Sequence, residues 1–220
     1  MHKFNLLSSI LLVILIPLTI IVLTANITLR MPDMYQYHFN DSEVLDEIDY
    51  YIPGTQMSSE IASYFSSFSN DKFQVYENNG IYQDPVFPHT DRLFMEKVKY
   101  ILNFALGVGL LCFIAMVAIY IYLYKNGYKK ALRNRCKVSF ALTVALFILQ
   151  GILISRKSIR LWIYTDIIGL KLSESTVIGV ILGGQFYSTY LLFSAIIGAV
   201  LTGIMFYTSF RLTRPPRIFY

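Results

Sequence analysis

The chain has 220 residues, of which 55% are hydrophobic and 15% aromatic, and its mean hydropathy is +0.51. Charged residues make up 15% of the chain, against about a quarter in typical soluble domains, which excludes an ordinary water-soluble protein. The net charge of +5 is unevenly distributed, so it does not indicate nucleic-acid binding, and no nucleic-acid partner is expected.

Four apolar runs are long enough to cross the hydrocarbon core of a bilayer, which takes about 20 residues. We predict transmembrane helices over residues 1–25, 98–124, 138–155 and 176–210. The first run also resembles a signal peptide, but it is longer than a signal core and shows no small-x-small cleavage site near Ala25. We therefore expect a retained helix there.

The last apolar run is longer than one span requires. Gly179 and Gly183 form a small-xxx-small pair, which favours close packing between helices. The alternative is that residues 183–185, which read Gly-Gly-Gln, interrupt the helix.

Acidic and basic residues are separated along the chain. Twelve of the fourteen acidic residues lie between Asp33 and Glu96, whereas residues 125–137 contain six cations and no anion. Cytoplasmic loops of membrane proteins collect Lys and Arg, so the basic segments and both termini are expected in the cytoplasm. The loops are then the extracellular segments 26–97 and 156–175, and the cytoplasmic segments 125–137 and 211–220.

The acidic segment 26–97 shows mixed secondary-structure patterns. Apolar residues have helical spacing over 41–52 and again over 58–68. Residues 73–76 alternate, and Asn79-Gly80 is typical of a two-residue hairpin turn. The predicted fold class is therefore an α-helical integral membrane protein with four transmembrane helices. A small extracytoplasmic α+β subdomain would lie between helices 1 and 2.

His89 lies a few residues before the second predicted span, so we expect it near the outer headgroup plane. There its imidazole can act as a general base on a lipid-linked substrate, with Asp91 orienting it. The alternative is a solvated loop in which Thr90 or Asp91 caps the second helix.

The second outer loop departs from the expected charge distribution. It begins with the cations Arg156, Lys157 and Arg160, followed by Trp162 and Tyr164. Because Arg forms paired hydrogen bonds with carboxylate and phosphate groups, these five residues are a candidate site for a lipid phosphate or a peptide carboxylate. Snorkelling of the cations to lipid headgroups, with Trp162 in the interfacial aromatic belt, explains the same residues equally well.

No motif in the sequence predicts a metal or a cofactor. Metal-spaced His, Cys and Asp sets, glycine-rich phosphate loops and Gly-x-Ser-x-Gly elbows are absent. Cys112 and Cys136 fall within predicted spans or at their ends, where cysteine is a small apolar residue. We therefore expect no metal and no cofactor. The spans contain no acidic residue, which argues against proton-coupled transport.

This arrangement is similar to that of the lipoprotein intramolecular transacylase (Lit) family, small four-span membrane proteins of Gram-positive bacteria. The similarity covers most of the chain and includes residues 30–37 (Arg-Met-Pro-Asp-Met-Tyr-Gln-Tyr), 57–61 (Met-Ser-Ser-Glu-Ile) and 91–99. The resemblance implies an acyl transfer from the glyceryl group of a lipid-modified cysteine to its own α-amino group, which yields a lyso-form lipoprotein.

The histidines that the family uses for acid–base chemistry are absent. The family segment Arg-Glu-x-x-His-Met-x-Asp-Val-Lys corresponds to Asp-Arg-Leu-Phe-Met-Glu-Lys-Val-Lys at 91–99. The family histidine falls at Phe94 and its aspartate at Lys97. A second family histidine, expected before x-x-Phe-Phe, has no counterpart in 156–174. The resemblance therefore implies a diverged member, in which His89 would have to replace the missing base.

We predict a cell-membrane protein that acts on or binds a lipid or a lipid-modified peptide at the outer leaflet. Catalysis would use His89 as the base, Asp91 to orient it, and Arg156 and Arg160 to hold an anion. The alternative is a non-enzymatic protein whose acidic outer segment binds a membrane protein partner or supports a membrane complex. Membrane lipids are expected partners in either case, with lipoproteins as candidate ligands.

Overall fold

The computed structural model describes residues 2–42, 44–48, 52–69, 71–78, 83–169, 176–183 and 185–214. In chain order its elements are α1 (His2–Arg30), α2 (Pro32–Ser42), a 3-10 turn (Val44–Glu47), α3 (Gly54–Ser66), β1 (Tyr76–Asn78), β2 (Gln83–Pro85), α4 (His89–Lys125), α5 (Lys129–Ser155), α6 (Lys157–Trp162), a π-helix (Ile163–Ile168), α7 (Val177–Ile181) and α8 (Phe186–Leu212). Within these ranges, four helices are long and apolar enough to cross a membrane, namely α1, α4, α5 and α8. The prediction of four such helices is confirmed.

The long helices extend beyond the apolar runs that predict them. Helix α4 begins at His89, and the carbonyl of Pro88 accepts the backbone N–H groups of Asp91 and Arg92. The helix therefore begins at residue 89, before the predicted span that starts at 98. Hydropathy locates the part of α4 that can cross a membrane, and backbone hydrogen bonding sets the helix length.

The last apolar run is interrupted, as the alternative interpretation has it, so residues 176–210 are not one helix. Helix α7 ends at Ile181 and α8 begins at Phe186. At Gly183 the backbone comes so close that an added Cβ would lie 3.1 Å from the carbonyl oxygen of Val180. This crowding favours glycine at the interruption.

The chain divides into two compact units, each described separately. The site unit comprises Asn26–Ala105 and Gly151–Ser194, and the span unit comprises Met1–Ala25, Leu106–Gln150 and Ala195–Tyr220. The core of the span unit includes Leu12, Ile16, Ile20, Met116, Leu123, Leu132 and Cys136. Helices approach closely there, since a Cβ at Gly198 would lie 2.4 Å from the Phe147 ring.

The core of the site unit is rich in aromatic side chains, and helices supply most of it. Helix α3 buries Met57, Ile61 and Phe65, while Tyr64 and Phe87 pack on the two sides of Phe73 at centroid distances of 4.9 and 4.7 Å. These rings tie α3 to the segment that leads into α4.

The expected α+β subdomain is not supported. Within the described residues, β structure is limited to one antiparallel pair of three-residue strands, β1 and β2. The predicted turn Asn79-Gly80 lies outside the described residues. The first outer helix is also placed differently, because α2 already ends at Ser42 and a single 3-10 turn follows it. Proline is well suited to a first helical position, which favours the earlier start at Pro32.

Candidate functional site

The site unit contains a cavity of about 300 Å³. Its lining is almost entirely apolar and aromatic: Leu29, Tyr35, Ile61, Phe65, Phe94, Met95, Val98, Ile154, Arg160, Ile163, Tyr164, Ile168, Ile178, Ile181, Leu182, Phe186, Tyr187 and Tyr190. Of the described residues that line it, only Arg160 carries a charge. Such a cavity suits an apolar ligand that has a few hydrogen-bond acceptors.

The segment predicted as the second outer loop is helical where it is described, and it forms one wall of the cavity. Helix α6 continues into the π-helix, and helical spacing brings Arg160, Tyr164 and Ile168 to the cavity. The opposite face is exposed, with 55% of Trp162 accessible. A π-helix is rare and is often found at functional sites.

The five predicted binding residues therefore separate into two groups. Arg160 and Tyr164 line the cavity. Arg156, Lys157 and Trp162 are exposed and are not part of its lining. The structure does not bring the five residues together, because Arg156 precedes α6 with extended backbone and Trp162, two positions from both Arg160 and Tyr164, lies on the other side of the helix.

Arg160 is held against an aromatic ring of the cavity. Its guanidinium carbon lies 4.2 Å from the centroid of the Tyr187 ring, which is a cation–π contact. The Tyr187 hydroxyl is buried and forms no hydrogen bond within the described part of the chain. Arg160 and Tyr187 thus offer hydrogen-bond donors in a largely apolar cavity. Sequence reasoning missed Tyr187, whose only signal is its position just after the interruption at 183–185.

Phe94 occupies the position at which the resemblance places a family histidine. Its side chain is only 3% exposed, and its ring packs edge-on against Tyr164 at a centroid distance of 5.7 Å. Phe94 also lines the cavity. The Phe94 ring therefore forms part of the apolar wall of the cavity. It cannot transfer a proton, as a histidine side chain at this position could.

The short helix α7 forms another wall of the cavity and is fixed at both ends. At its N-terminal end the carboxylate of Asp91 accepts the backbone N–H of Ile178 at 2.9 Å. At its C-terminal end the Nε2–H of His38 donates to the carbonyl of Ile181 at 2.9 Å, and His38 is fully buried. Because Ile178 and Ile181 both line the cavity, these two hydrogen bonds position its wall.

The structure does not support Asp91 as the residue that orients His89. Asp91 is fully buried and directed to α7, whereas His89 is exposed in the first turn of α4. Burial raises the pKa of the Asp91 carboxyl, while hydrogen bonds from the Ile178 N–H and the Thr176 hydroxyl act in the opposite direction. The capping alternative places Asp91 at the start of the second span, but its carboxylate binds the first turn of α7, whose N-cap residue is Thr176. His89 is not among the cavity residues.

Comparisons with known proteins agree with this architecture. The sequence profile of the family described as lipoprotein intramolecular transacylase Lit matches residues 10–164. A structure of the membrane integral lipoprotein intramolecular transacylase Lit from Bacillus cereus has a TM-score of 0.69 and 17% identity, and the match covers 96% of this chain and 98% of that one. A histidine-to-alanine variant of the Bacillus cereus protein has a TM-score of 0.71 and 15% identity, with 96% and 93% covered.

No curated protein matches the chain. At identities this low the solved structures show a shared fold, and the family assignment comes from the sequence profile, which spans most of the chain. With four apolar helices, the protein is a multi-pass membrane protein. The chain belongs to the lipoprotein intramolecular transacylase Lit family.

Proposed function

We propose that this protein binds an acyl chain of a lipid or lipid-modified peptide in the cavity of the site unit, at the outer leaflet. The observation that carries the proposal is the lining of the cavity, which is apolar and aromatic apart from the Arg160 guanidinium and the hydroxyl groups of its tyrosines, among them Tyr187. Each methylene of a buried chain contributes about 0.8 kcal/mol, so an apolar cavity favours the hydrocarbon.

The polar end of the ligand is matched to Arg160 and Tyr187. An arginine side chain only donates hydrogen bonds, so its ligand must supply acceptors. The buried Tyr187 hydroxyl also has a proton to donate within the same cavity. The carbonyl oxygens of acyl esters are acceptors joined directly to hydrocarbon chains. A diacylglyceryl group on cysteine therefore combines both features that the cavity selects.

Family membership favours acyl transfer as a second candidate function. In that reaction the α-amino nitrogen of the modified cysteine forms an amide with the acyl carbon, the ester bond breaks, and a proton passes from nitrogen to the glyceryl oxygen. His89 is the candidate base, with Arg156 and Arg160 as candidate anion ligands. The geometry supports binding more directly, because His89 is exposed and does not line the cavity.

One experiment separates binding from acyl transfer. The purified protein is incubated with a synthetic diacylglyceryl-cysteine peptide, and binding is measured against the same peptide without acyl chains. We expect saturable binding of the acylated peptide alone, with its fragmentation in mass spectrometry unchanged afterwards. No preference for the acylated peptide would contradict the proposal.

The same peptide reports on acyl transfer. A product of equal mass with the fragmentation of an N-acylated lyso-form would establish transacylation, and its loss in His89→Ala would identify the base. A protein that binds neither peptide and instead co-purifies with a stoichiometric membrane protein would support the partner-binding alternative for the acidic segment.

We further propose that segment 26–97 is extracellular and that both termini are cytoplasmic, with basic segments on the inner side. Single cysteines at Ser66 and Lys130, introduced with Cys112 and Cys136 replaced by alanine, test this orientation in intact cells. Both positions are exposed. A membrane-impermeant maleimide is expected to label Ser66→Cys in intact cells and Lys130→Cys only after permeabilisation. The reverse labelling pattern would refute the orientation.

A further inference from the structure

The span unit contains a second cavity, separate from the proposed acyl-binding cavity in the site unit. It has a volume of about 320 Å³ and is a groove lined by α1, α4 and α8. Phe113 and Tyr120 line it on α4, and Leu201 and Ile204 line it on α8. Its lining is mainly apolar and contains no charged residue among those described.

Positively charged side chains lie just beyond two of the walls of the groove, those formed by α8 and α4. On α8, Ile204 and Thr208 line the groove, and Arg211 follows at helical spacing on the same face. On α4, Tyr124 lies four residues beyond the lining residue Tyr120, and the Lys129 ammonium lies 4.7 Å from the centroid of the Tyr124 ring. A cation therefore lies beyond each of two walls of the groove: Arg211 beyond the α8 wall, and Lys129 of α5 beyond the α4 wall.

Further positive charge is held beside this position. The Arg133 guanidinium carbon lies 3.9 Å from the centroid of the Phe210 ring, and the Lys137 ammonium lies 6.0 Å from it. Phe210 is the neighbour of Arg211 on α8. The sequence of the span unit contains no acidic residue, so these cations have no carboxylate of their own unit to neutralise them.

From this juxtaposition we propose a binding site for an anionic phospholipid. One acyl chain lies in the groove between α4 and α8, and the phosphate of the headgroup lies between Lys129 and Arg211. Charge complementarity favours this occupant, because the net negative charge of an anionic headgroup is attracted to these cations. In a zwitterionic headgroup the positive group offsets much of that attraction. Each basic residue near an anionic lipid surface contributes enough attraction to change the affinity about fivefold, which corresponds to about 1 kcal/mol.

The site is tested with the full-length protein in nanodiscs that contain spin-labelled phosphatidylglycerol or spin-labelled phosphatidylcholine with identical chains. The fraction of immobilised label is measured by electron paramagnetic resonance. We expect preferential immobilisation of phosphatidylglycerol, and a decrease in that preference of about fivefold for Lys129→Gln and again for Arg211→Gln. Lys130→Gln, the same charge change at the neighbouring exposed residue, is expected to leave most of the preference intact.

The groove is tested by filling it. Leu201→Trp is expected to reduce immobilisation of both labelled lipids, since the chain loses its place while the cations remain. If Leu201→Trp does not fold, the three charge variants still decide the question. Equal immobilisation of the two lipids by the unmodified protein, or an equal loss for Lys130→Gln and Arg211→Gln, would overturn the proposal.

Discussion

Asp91→Ala is expected to destabilise the site unit by about 2 kcal/mol, because the buried N–H of Ile178 loses its hydrogen-bond acceptor. Asp91 is fully buried, and its carboxylate accepts the N–H of Ile178 across 87 positions of the chain. The loss corresponds to a decrease of about 4–8 °C in the melting temperature for a chain of this size. Thermal unfolding in detergent micelles measures it.

Two matched variants show what Asp91 does. Asp91→Asn keeps an acceptor oxygen for the Ile178 N–H, so it should retain most of the stability. His89→Ala, at an exposed position in the same helical turn, should change the stability by less than about 0.5 kcal/mol. Equal melting temperatures for Asp91→Ala and His89→Ala would show that Asp91 does not hold α7.

Arg160→Gln is expected to weaken binding of the diacylglyceryl-cysteine peptide about tenfold or more. A hydrogen bond from a charged donor contributes about 1.5–3 kcal/mol, and within the described lining Arg160 is the one residue that provides such a donor. The dissociation constant of the acylated peptide is the quantity to measure. Arg160→Lys should lose a smaller part of the affinity, because it keeps the charge but not the planar fork of donors.

The control for Arg160 is Lys157→Gln, which removes the same charge three residues earlier on α6. Lys157 is exposed and does not line the cavity, so the affinity should change by less than twofold, about 0.4 kcal/mol. A similar loss of affinity for both variants would show that binding depends on the net positive charge of α6 and not on a contact with Arg160. That result would favour the headgroup-snorkelling interpretation. An unchanged affinity for Arg160→Gln would remove Arg160 from the binding site.

Local sequence patterns predict the secondary structure of the outer segment 26–97 only in part. The spacing over 58–68 predicts a helix, and α3 covers most of it, with Ile61 and Phe65 buried. Phe68 shares the predicted face but is 72% exposed, because the helix ends at Ser66. The hairpin signal at 73–82 leads to two strands of only three residues each. Phe73, at the start of the predicted alternation, precedes the strands and packs against the rings of Tyr64 and Phe87.

The candidate site was only partly predictable. Arg160 and Tyr164 stand out in the sequence as a cation and an aromatic residue beside a span. Tyr187 is marked in the sequence only by its position after the interruption, and Phe94 only by the family resemblance. Neither signal shows that the residue lines the cavity. Their importance depends on which side chains face them, as Arg160 faces Tyr187 and Tyr164 faces Phe94.

The sequence by itself determined the four apolar helices and the basic segments between and after them, because hydropathy and charge are properties of short stretches of chain. The resemblance to the Lit family was also visible there. Only the tertiary structure decided that Asp91 supports α7 and that the cluster at 156–164 divides between cavity and surface. Those outcomes depend on hydrogen bonds and packing between segments far apart in the chain, which local spacing does not encode.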